Sequence, residues 1–497
     1  MSFVSWAFVV FFVVLLHGMR LARTRRSRQI LLLIASIAFY AAGTPWHLLV
    51  LAVPAAVDYF CALRIEATTD PAGRKRWLVL SLVTNLGLLG YFKYADFFAD
   101  TIAGVFGVHA APLYVALPIG ISFFTFKTMS YTIDVYRREL VACRSLWQYA
   151  LFVSFFPELV AGPIVRASVF LPQLGRSLRL RWHRAAAGLQ ILLLGLTKKL
   201  LIADRLAPFI DAVFATPQAF SRGTVIAAVV AYSLQIYCDF SGYSDMAIGI
   251  ARIIGFDLPE NFDMPYLATS ITDFWRRWHI TFSQWLRDYL YIPLGGNRRG
   301  TTRTYVNLTL VMLLGGLWHG AQWTFVAWGL MHGIGLAAHK LWTGKRSMPQ
   351  RRASGIATLA SWAATYAFVC VSWVLFRSPD FSTAASILRK MAGPDSGGVV
   401  WFYLPLLMAL AAASVAHVIG VVARRSPRWS MRDRRRIALT PGAESGPVLE
   451  VAIYPLAGRY LLFGRSGFAA AFILTTWLLA LFLFTPLHLS PFIYFQF

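Results

Sequence analysis

Charge is what this sequence has least of. Only 14% of its residues are Asp, Glu, Lys or Arg, whereas a soluble globular protein carries about 25%. So few charges cannot cover a water-facing surface, which excludes a soluble fold for these 497 residues. Cysteine is also scarce. Cys61, Cys143, Cys238 and Cys370 stand far apart and form no Cys-x-x-Cys pair, which argues against a disulfide framework or a zinc site; no metal site is expected. No Gly-x-Ser-x-Gly elbow and no Gly-rich loop closed by Lys-Ser/Thr stands out, so covalent serine catalysis and nucleotide hydrolysis lack support. No internal repeat is obvious, which weakens a reading as a secondary transporter, since many such folds carry paired halves.

What is abundant is apolar sequence: 58% of residues are hydrophobic, and they fall in long blocks. A span needs roughly 20 apolar residues. Blocks near 3–19, 29–43, 46–63, 77–95, 115–135, 186–203, 223–240, 305–318, 322–341, 356–376, 403–423 and 468–488 predict about a dozen spans on that criterion. The net charge of +25 comes from short basic runs between these blocks, such as Arg23, Arg25, Arg26 and Arg28. Basic loops of this kind stay in the cytoplasm, so membrane lipid, not nucleic acid, is the expected partner. Residues 3–16 are apolar with positive charges after them, which predicts a first span with its N-terminus outside and no cleavable signal. The charge alternation fails around 151–164, where both flanks are basic. A re-entrant segment broken by Pro157, Gly162 and Pro163 resolves it. The expectation is one membrane domain, 1–497, with N-terminal spans in 1–110, a core in 115–345, and C-terminal spans in 350–497 that include a basic cytoplasmic loop, 424–449, too short to fold alone.

Chemistry concentrates in 235–339. Asp239 and Asp245 lie in Gln-Ile-Tyr-Cys-Asp-Phe-Ser-Gly-Tyr-Ser-Asp (235–245) within an apolar setting. Carboxylates in a membrane are costly; these two either cap helices or pair with Arg, or else shape a reaction tunnel. The stretch 273–300 is amphipathic and rich in Trp and Arg, with His279 near its centre. It reads either as an interfacial helix or as a cytoplasmic mouth where Arg276, Arg277, Arg298 and Arg299 hold a phosphate-bearing donor. His319 is embedded in Leu-Trp-His-Gly (317–320), and an imidazole titrates near neutral pH. His332, thirteen residues on, is roughly 20 Å away along a straight helix and can join His319 only if the helix breaks. His339 reads as structural.

These blocks resemble the bacterial branch of the membrane-bound O-acyltransferases. The resemblance also takes in Leu-Pro-Ile-Gly-Ile-Ser-Phe-Phe-Thr-Phe (117–126), Phe-Pro-Glu-Leu-Val-Ala-Gly-Pro-Ile (156–164), Gly-Leu-Thr-Lys-Lys-Leu-Leu-Ile-Ala-Asp (195–204) and Pro-Phe-Ile-Tyr-Phe-Gln-Phe (491–497). It implies an all-α polytopic fold, a ring of tilted and re-entrant helices around a central tunnel. It implies that His319 is the catalytic histidine and His279 a second histidine needed for activity. Arg276, Arg277, Asn297, Trp318, Asp239 and Asp245 complete the expected substrate-binding set. The implied reaction uses no bound cofactor. Acetyl-coenzyme A or another acyl thioester is the donor, and the acceptor is a hydroxyl of an extracytoplasmic polysaccharide such as alginate, or a periplasmic relay acyltransferase. The implied location is the bacterial inner membrane. D-alanyl transfer to teichoic acid and non-catalytic acyl or lipid transport are the alternatives.

Overall fold

In a computed structural model the described residues are 1–108, 111, 113, 115–160, 162–176, 180–344, 354–395, 397–425, 433–438, 448–453, 467–486 and 489–493. Nearly all their regular structure is helical. Five stretches are long and apolar enough to cross a membrane: His47–Ala67, Pro71–Val105, Trp182–Ala215, Arg222–Ile254 and Gly355–Arg377. Shorter apolar helices include Trp6–Leu21 and Ala470–Phe484. Many of their large side chains are exposed, among them Val10, Val14, Leu49, Val83, Ile356, Phe472 and Phe482. That is the arrangement a lipid solvent permits and water does not.

The chain divides into two compact units. The first comprises Met1–Leu196, Tyr243–Glu260 and Met431–Leu478. Its first helices are α1 (Trp6–Leu21), α2 (Arg25–Ala41), α3 (His47–Ala67), α4 (Pro71–Leu89), α5 (Ala95–Val105) and α6 (Ile121–Tyr136). Short polar side chains start three of them. Ser5 accepts from the Phe8 N–H, Thr24 and Ser27 form a reciprocal capping box, and Asp70 caps α4 just before Pro71, each satisfying N–H groups that a helix start leaves open. Inside, the Asn85 amide donates to Asp58 and accepts from the Thr128 hydroxyl, both at 2.8 Å, which ties α3, α4 and α6 by polar bonds away from water. The block expected at 115–135 is helical only from Ile121, because Pro118 precedes it and Gly120 takes φ +77°.

The segment read as re-entrant is broken. Helix α7 (Leu146–Ser154) stops before a single turn, α8 (Phe156–Leu159), and non-helical backbone follows to α9 (Ala167–Leu174). Residues 151–159 are buried, and Glu158 pairs there with the buried Lys127. The unit continues with α10 (Trp182–Leu196). The Arg184 guanidinium bonds Asp257, whose backbone exchanges two hydrogen bonds with the Gln173 amide.

The second unit comprises Thr197–Gly242, Asn261–Ser430 and Leu479–Phe497. It holds α11 (Asp204–Ala215) and the start of α12 (Arg222–Ile254), followed by α13 (Ile271–Arg277), α14 (Ile280–Leu286), α15 (Thr301–His319), α16 (Trp323–Gly344), α17 (Gly355–Arg377), α18 (Phe381–Ala392) and α19 (Leu404–Arg425). The apolar block expected to end at 240 runs on in α12 to Ile254. Met246, Ala247, Ile250, Ala251 and Ile254 keep one face of that extension buried, so the polar motif lies within the helix and not after it. The basic loop expected at 424–449 is not wholly irregular. Strand β1 (Asp433–Ala438), inside that loop, pairs antiparallel with β2 (Val448–Ile453), which begins at its end. Helix α20 (Phe468–Phe484) follows. Within the loop, Arg428 and Arg432 lie outside the described residues, as do 494–497 of the C-terminal motif.

Candidate active site

His319 is the last residue of α15, and Gly320 leaves the helix in extended backbone. The chain turns through 320–322 and α16 starts at Trp323. This is the break that His332 requires to approach His319. Two glycines let the helices touch. A Cβ on Gly316 would lie 2.2 Å from the Phe325 carbonyl oxygen, and one on Gly329 would lie 2.3 Å from that of Met312. Backbone-to-backbone contact of this kind is the usual use of small residues between membrane helices. It brings α16 side chains beside His319. The Trp328 ring stands edge-on to the imidazole at 5.1 Å between centroids, with Phe376 at 5.4 Å and Phe282 at 5.3 Å.

His279 sits at a second break. Helix α13 ends at Arg277, and His279 takes left-handed backbone with φ +41° before α14 begins. Such a conformation is uncommon outside glycine and persists only where surroundings enforce it. Asn261 supplies the enforcement. Its backbone carbonyl accepts from Ile280 N–H at 2.9 Å. Its side-chain oxygen accepts from the Thr281 hydroxyl at 2.9 Å and faces His279 Nδ1 at 3.1 Å. Because an amide oxygen only accepts, Nδ1 carries the proton and Nε2 is the basic nitrogen. Burial of the fully enclosed ring pushes its pKa down to about 3, so the imidazole is neutral in ordinary conditions. Phe282 stacks on it at 4.9 Å and lies 5.3 Å from His319, so one aromatic ring touches both histidines.

His332 is a member of the same cluster. Its Nδ1 accepts from the Trp275 indole at 3.2 Å, its Nε2 bonds the Ser372 hydroxyl at 2.9 Å, and that hydroxyl in turn donates to the Val369 carbonyl. Both ring nitrogens are therefore committed. The Trp328 ring contacts both His332, at 4.7 Å, and His319, at 5.1 Å.

A cavity of about 670 Å³ opens next to this cluster. Its wall includes Trp275, Ile280, Ser283, Val311 and Met312, and its cationic lining comprises Arg276, Arg287 and Lys340 together with His339. His339 lines this cavity, with Nδ1 held 2.9 Å from the Thr272 hydroxyl. A second cavity, of about 720 Å³, is mostly apolar and runs along α16 and α17, with Leu330, Ile334 and Phe368 in its lining. Neither cavity is lined by His319, whose side chain is 3% exposed behind the aromatic rings.

Of the residues singled out from sequence, His319, His279 and Trp318 meet in one place; Trp318 stacks on Phe282 at 4.5 Å. Arg276 lines the cavity of about 670 Å³, whereas Arg277 is turned away to Asp273 at 2.9 Å and the Asp263 carbonyl. Asn297 is exposed in the loop after α14 and lines neither cavity. Asp239 is buried and pairs with Lys199 at 2.7 Å, with Asp204 on the other side of the ammonium at 2.8 Å. Its partner is therefore a lysine and not the arginine that sequence reasoning offered. Asp245 is buried on α12, in the first unit. Asn261, Thr324 and Trp328 carried no sequence signal, since none has charge or motif spacing of its own.

The chain belongs to the membrane-bound O-acyltransferase family, whose sequence profile matches residues 32–378, and it is an O-acyltransferase. It is 44% identical to a Pseudomonas putida protein named probable alginate O-acetylase AlgI, over 79% of this chain and 80% of the relative. It is 40% identical to the peptidoglycan O-acetyltransferase of Helicobacter pylori, over 73% of each chain. The teichoic acid D-alanyltransferase of Streptococcus thermophilus is 29% identical over 46% of this chain and 58% of its own.

Proposed function

We propose that this protein moves an acetyl group from a cytoplasmic thioester, acetyl-coenzyme A, to a hydroxyl of an extracytoplasmic polysaccharide, directly or through a periplasmic acyltransferase, in the bacterial inner membrane. His319 is the general base. It takes the proton of the acceptor hydroxyl as that oxygen bonds to the thioester carbonyl carbon. The carbonyl then re-forms, the carbon–sulfur bond breaks, and the thiolate leaves with the proton from the imidazolium. General-base assistance contributes about 10²–10⁴-fold. His279, neutral and with its Nδ1 proton held by Asn261, orients the acceptor through its other nitrogen. Arg276, Arg287 and Lys340 bind the donor phosphates by charge-assisted bonds.

The observation that carries this reading is the convergence of His279 and His319, each at a helix break, on the same Phe282 ring beside a cation-lined cavity. No nucleophilic serine or cysteine is needed, because the donor is already an activated ester. The acetyl branch is favoured over D-alanyl transfer by relatives that match at 40–44% identity, against 26–29% for the D-alanyltransferases. The test is His319→Ala at unchanged protein level in a strain whose polysaccharide acetylation depends on this protein. Loss of acetylation is expected, and retained acetylation overturns the assignment.

A further inference from the structure

Two buried donors beside His319 are left without an acceptor. Trp328 is 1% exposed and Thr324 is 2% exposed, and neither Trp328 Nε1 nor Thr324 Oγ1 has a hydrogen-bond partner among the described residues. Buried polar groups are almost always paired, so each exception calls for a reason. The contrast within the same unit is sharp. Trp275 donates to His332, Trp362 to the Tyr266 carbonyl, and Trp373 to the Tyr266 hydroxyl. Helical threonines there return their hydroxyl to the carbonyl four residues back, as Thr304, Thr358 and Thr365 do. Thr324 and Trp328 alone among these follow neither habit.

Apart from His319 itself, the rings around Trp328 cannot supply what is missing. Around Trp328 stand Trp275, His332, Trp373 and Phe376. Three of these rings offer no acceptor, and both nitrogens of His332 are already engaged. Thr324 and Trp328 are four residues apart on α16, hence on one face and about one turn apart. That face meets His319, since the Trp328 ring is edge-on to the imidazole.

We propose that the Trp328 indole N–H and the Thr324 hydroxyl receive the thioester carbonyl oxygen as it becomes an oxyanion beside His319. This rests on the general-base reading of His319 and adds the electrophilic half of the reaction. As the acceptor oxygen bonds to the carbonyl carbon, the carbonyl π pair moves onto oxygen and both donors hold the charge. When that pair returns, the carbon–sulfur bond breaks, the thiolate takes the proton from the imidazolium, and the donors are left empty again. Donors fixed before the charge develops, in a site that excludes water, act without reorganisation. The ligand class is a short acyl thioester, read through its carbonyl and not through its carrier.

The test uses membrane vesicles containing the full-length protein at matched levels, with labelled acetyl-coenzyme A as donor, and reads kcat and KM for its transfer into envelope material. Trp328→Phe keeps an aromatic ring and removes the N–H; it is expected to lower kcat about 10²–10³-fold. KM for acetyl-coenzyme A should stay within about threefold, the pattern of an interaction made only in the transition state. Thr324→Val should lower kcat at least about tenfold, whereas Thr324→Ser, which keeps the hydroxyl, should restore it to within about threefold. If Trp328→Phe does not accumulate as folded protein, the Thr324→Val and Thr324→Ser pair decides. Normal turnover in Thr324→Val and Trp328→Phe, with His319→Ala inactive, overturns the donor assignment and leaves the base assignment standing. A loss expressed wholly in KM also overturns it. An active His319→Ala overturns both.

Discussion

The Lys199 ammonium lies 2.7 Å from the Asp239 carboxylate, and both are buried. The other Asp239 oxygen accepts from the Ile493 N–H at 2.8 Å, and Lys199 donates to the Ser490 carbonyl at 2.9 Å. The pair therefore clamps the C-terminal segment, whose Phe492 packs on Phe240, and Phe240 stands edge-on to His279 at 4.7 Å.

Lys199→Met leaves Asp204 and Asp239 buried without their cation. Breaking a buried ion pair from one side costs about 3–5 kcal/mol. A marked fall in the thermal unfolding midpoint of the detergent-solubilised protein is the expected outcome. An unchanged midpoint would show that the clamp contributes nothing to stability.

His332 and His319 should separate cleanly on mutation. His332→Ala strands the Trp275 N–H, and each unsatisfied buried donor costs about 1–3 kcal/mol. Reduced stability with partial acetyl transfer is expected, against complete loss in His319→Ala. Complete loss in a stably folded His332→Ala variant would contradict a supporting role.

Acid sensitivity should depend on His279, which lies outside the five long apolar helices. Its folded pKa is pushed down to about 3 by burial, whereas an unperturbed histidine titrates near 6.5. The unfolded chain therefore binds this proton first as pH falls. The stability associated with keeping the ring neutral is intact above about 6.5 and is lost progressively toward about 3. His279→Asn should flatten the dependence of the unfolding midpoint on pH across that window, as followed by differential scanning fluorimetry. An unaltered slope would show that the ring does not titrate this way.

Gly316→Ala places a methyl 2.2 Å from the Phe325 carbonyl oxygen, and backbone cannot step aside as a flexible side chain can. Overpacking of this kind costs about 1–3 kcal/mol. Because the same contact carries Trp328 to His319, turnover should fall together with the unfolding midpoint. Gly344→Ala, which meets nothing within 4 Å, should change neither.

Neutralising the cavity cations tests donor binding apart from chemistry. Arg276→Gln with Lys340→Gln should raise KM for acetyl-coenzyme A and leave kcat near its original value, since phosphate contacts remote from the reacting carbon bind ground and transition states alike. A fall in kcat at constant KM would move these residues out of donor binding.

Apolar blocks showed in the sequence where most of the long helices lie, because length and hydropathy are local properties, whereas shorter helices such as α7, α9, α11 and α18 fall outside every block. The break within 151–164 was legible from proline and glycine against the charge alternation, and His319 from its motif. The break at His279 was not, since it depends on Asn261 from a distant segment bonding the backbone of Ile280. The partner of Asp239 was missed for a similar reason: Lys199 sits forty positions earlier, and its pairing is tertiary. Thr324 and Trp328 were invisible because their distinguishing property is a missing acceptor, which only three-dimensional packing reveals. The continuation of α12 past residue 240 was hidden by Ser, Gly and Asp, which lower hydropathy but do not interrupt the buried face.

The left-handed backbone at His279 constrains which sequences this position can sample. Asn and Asp tolerate that geometry, whereas Val, Ile and Thr clash with it before any question of proton transfer arises. A saturation library here should therefore sort its members first by conformational permission and only then by chemistry, so that the shape of the main chain acts as the earlier filter on how this enzyme can drift.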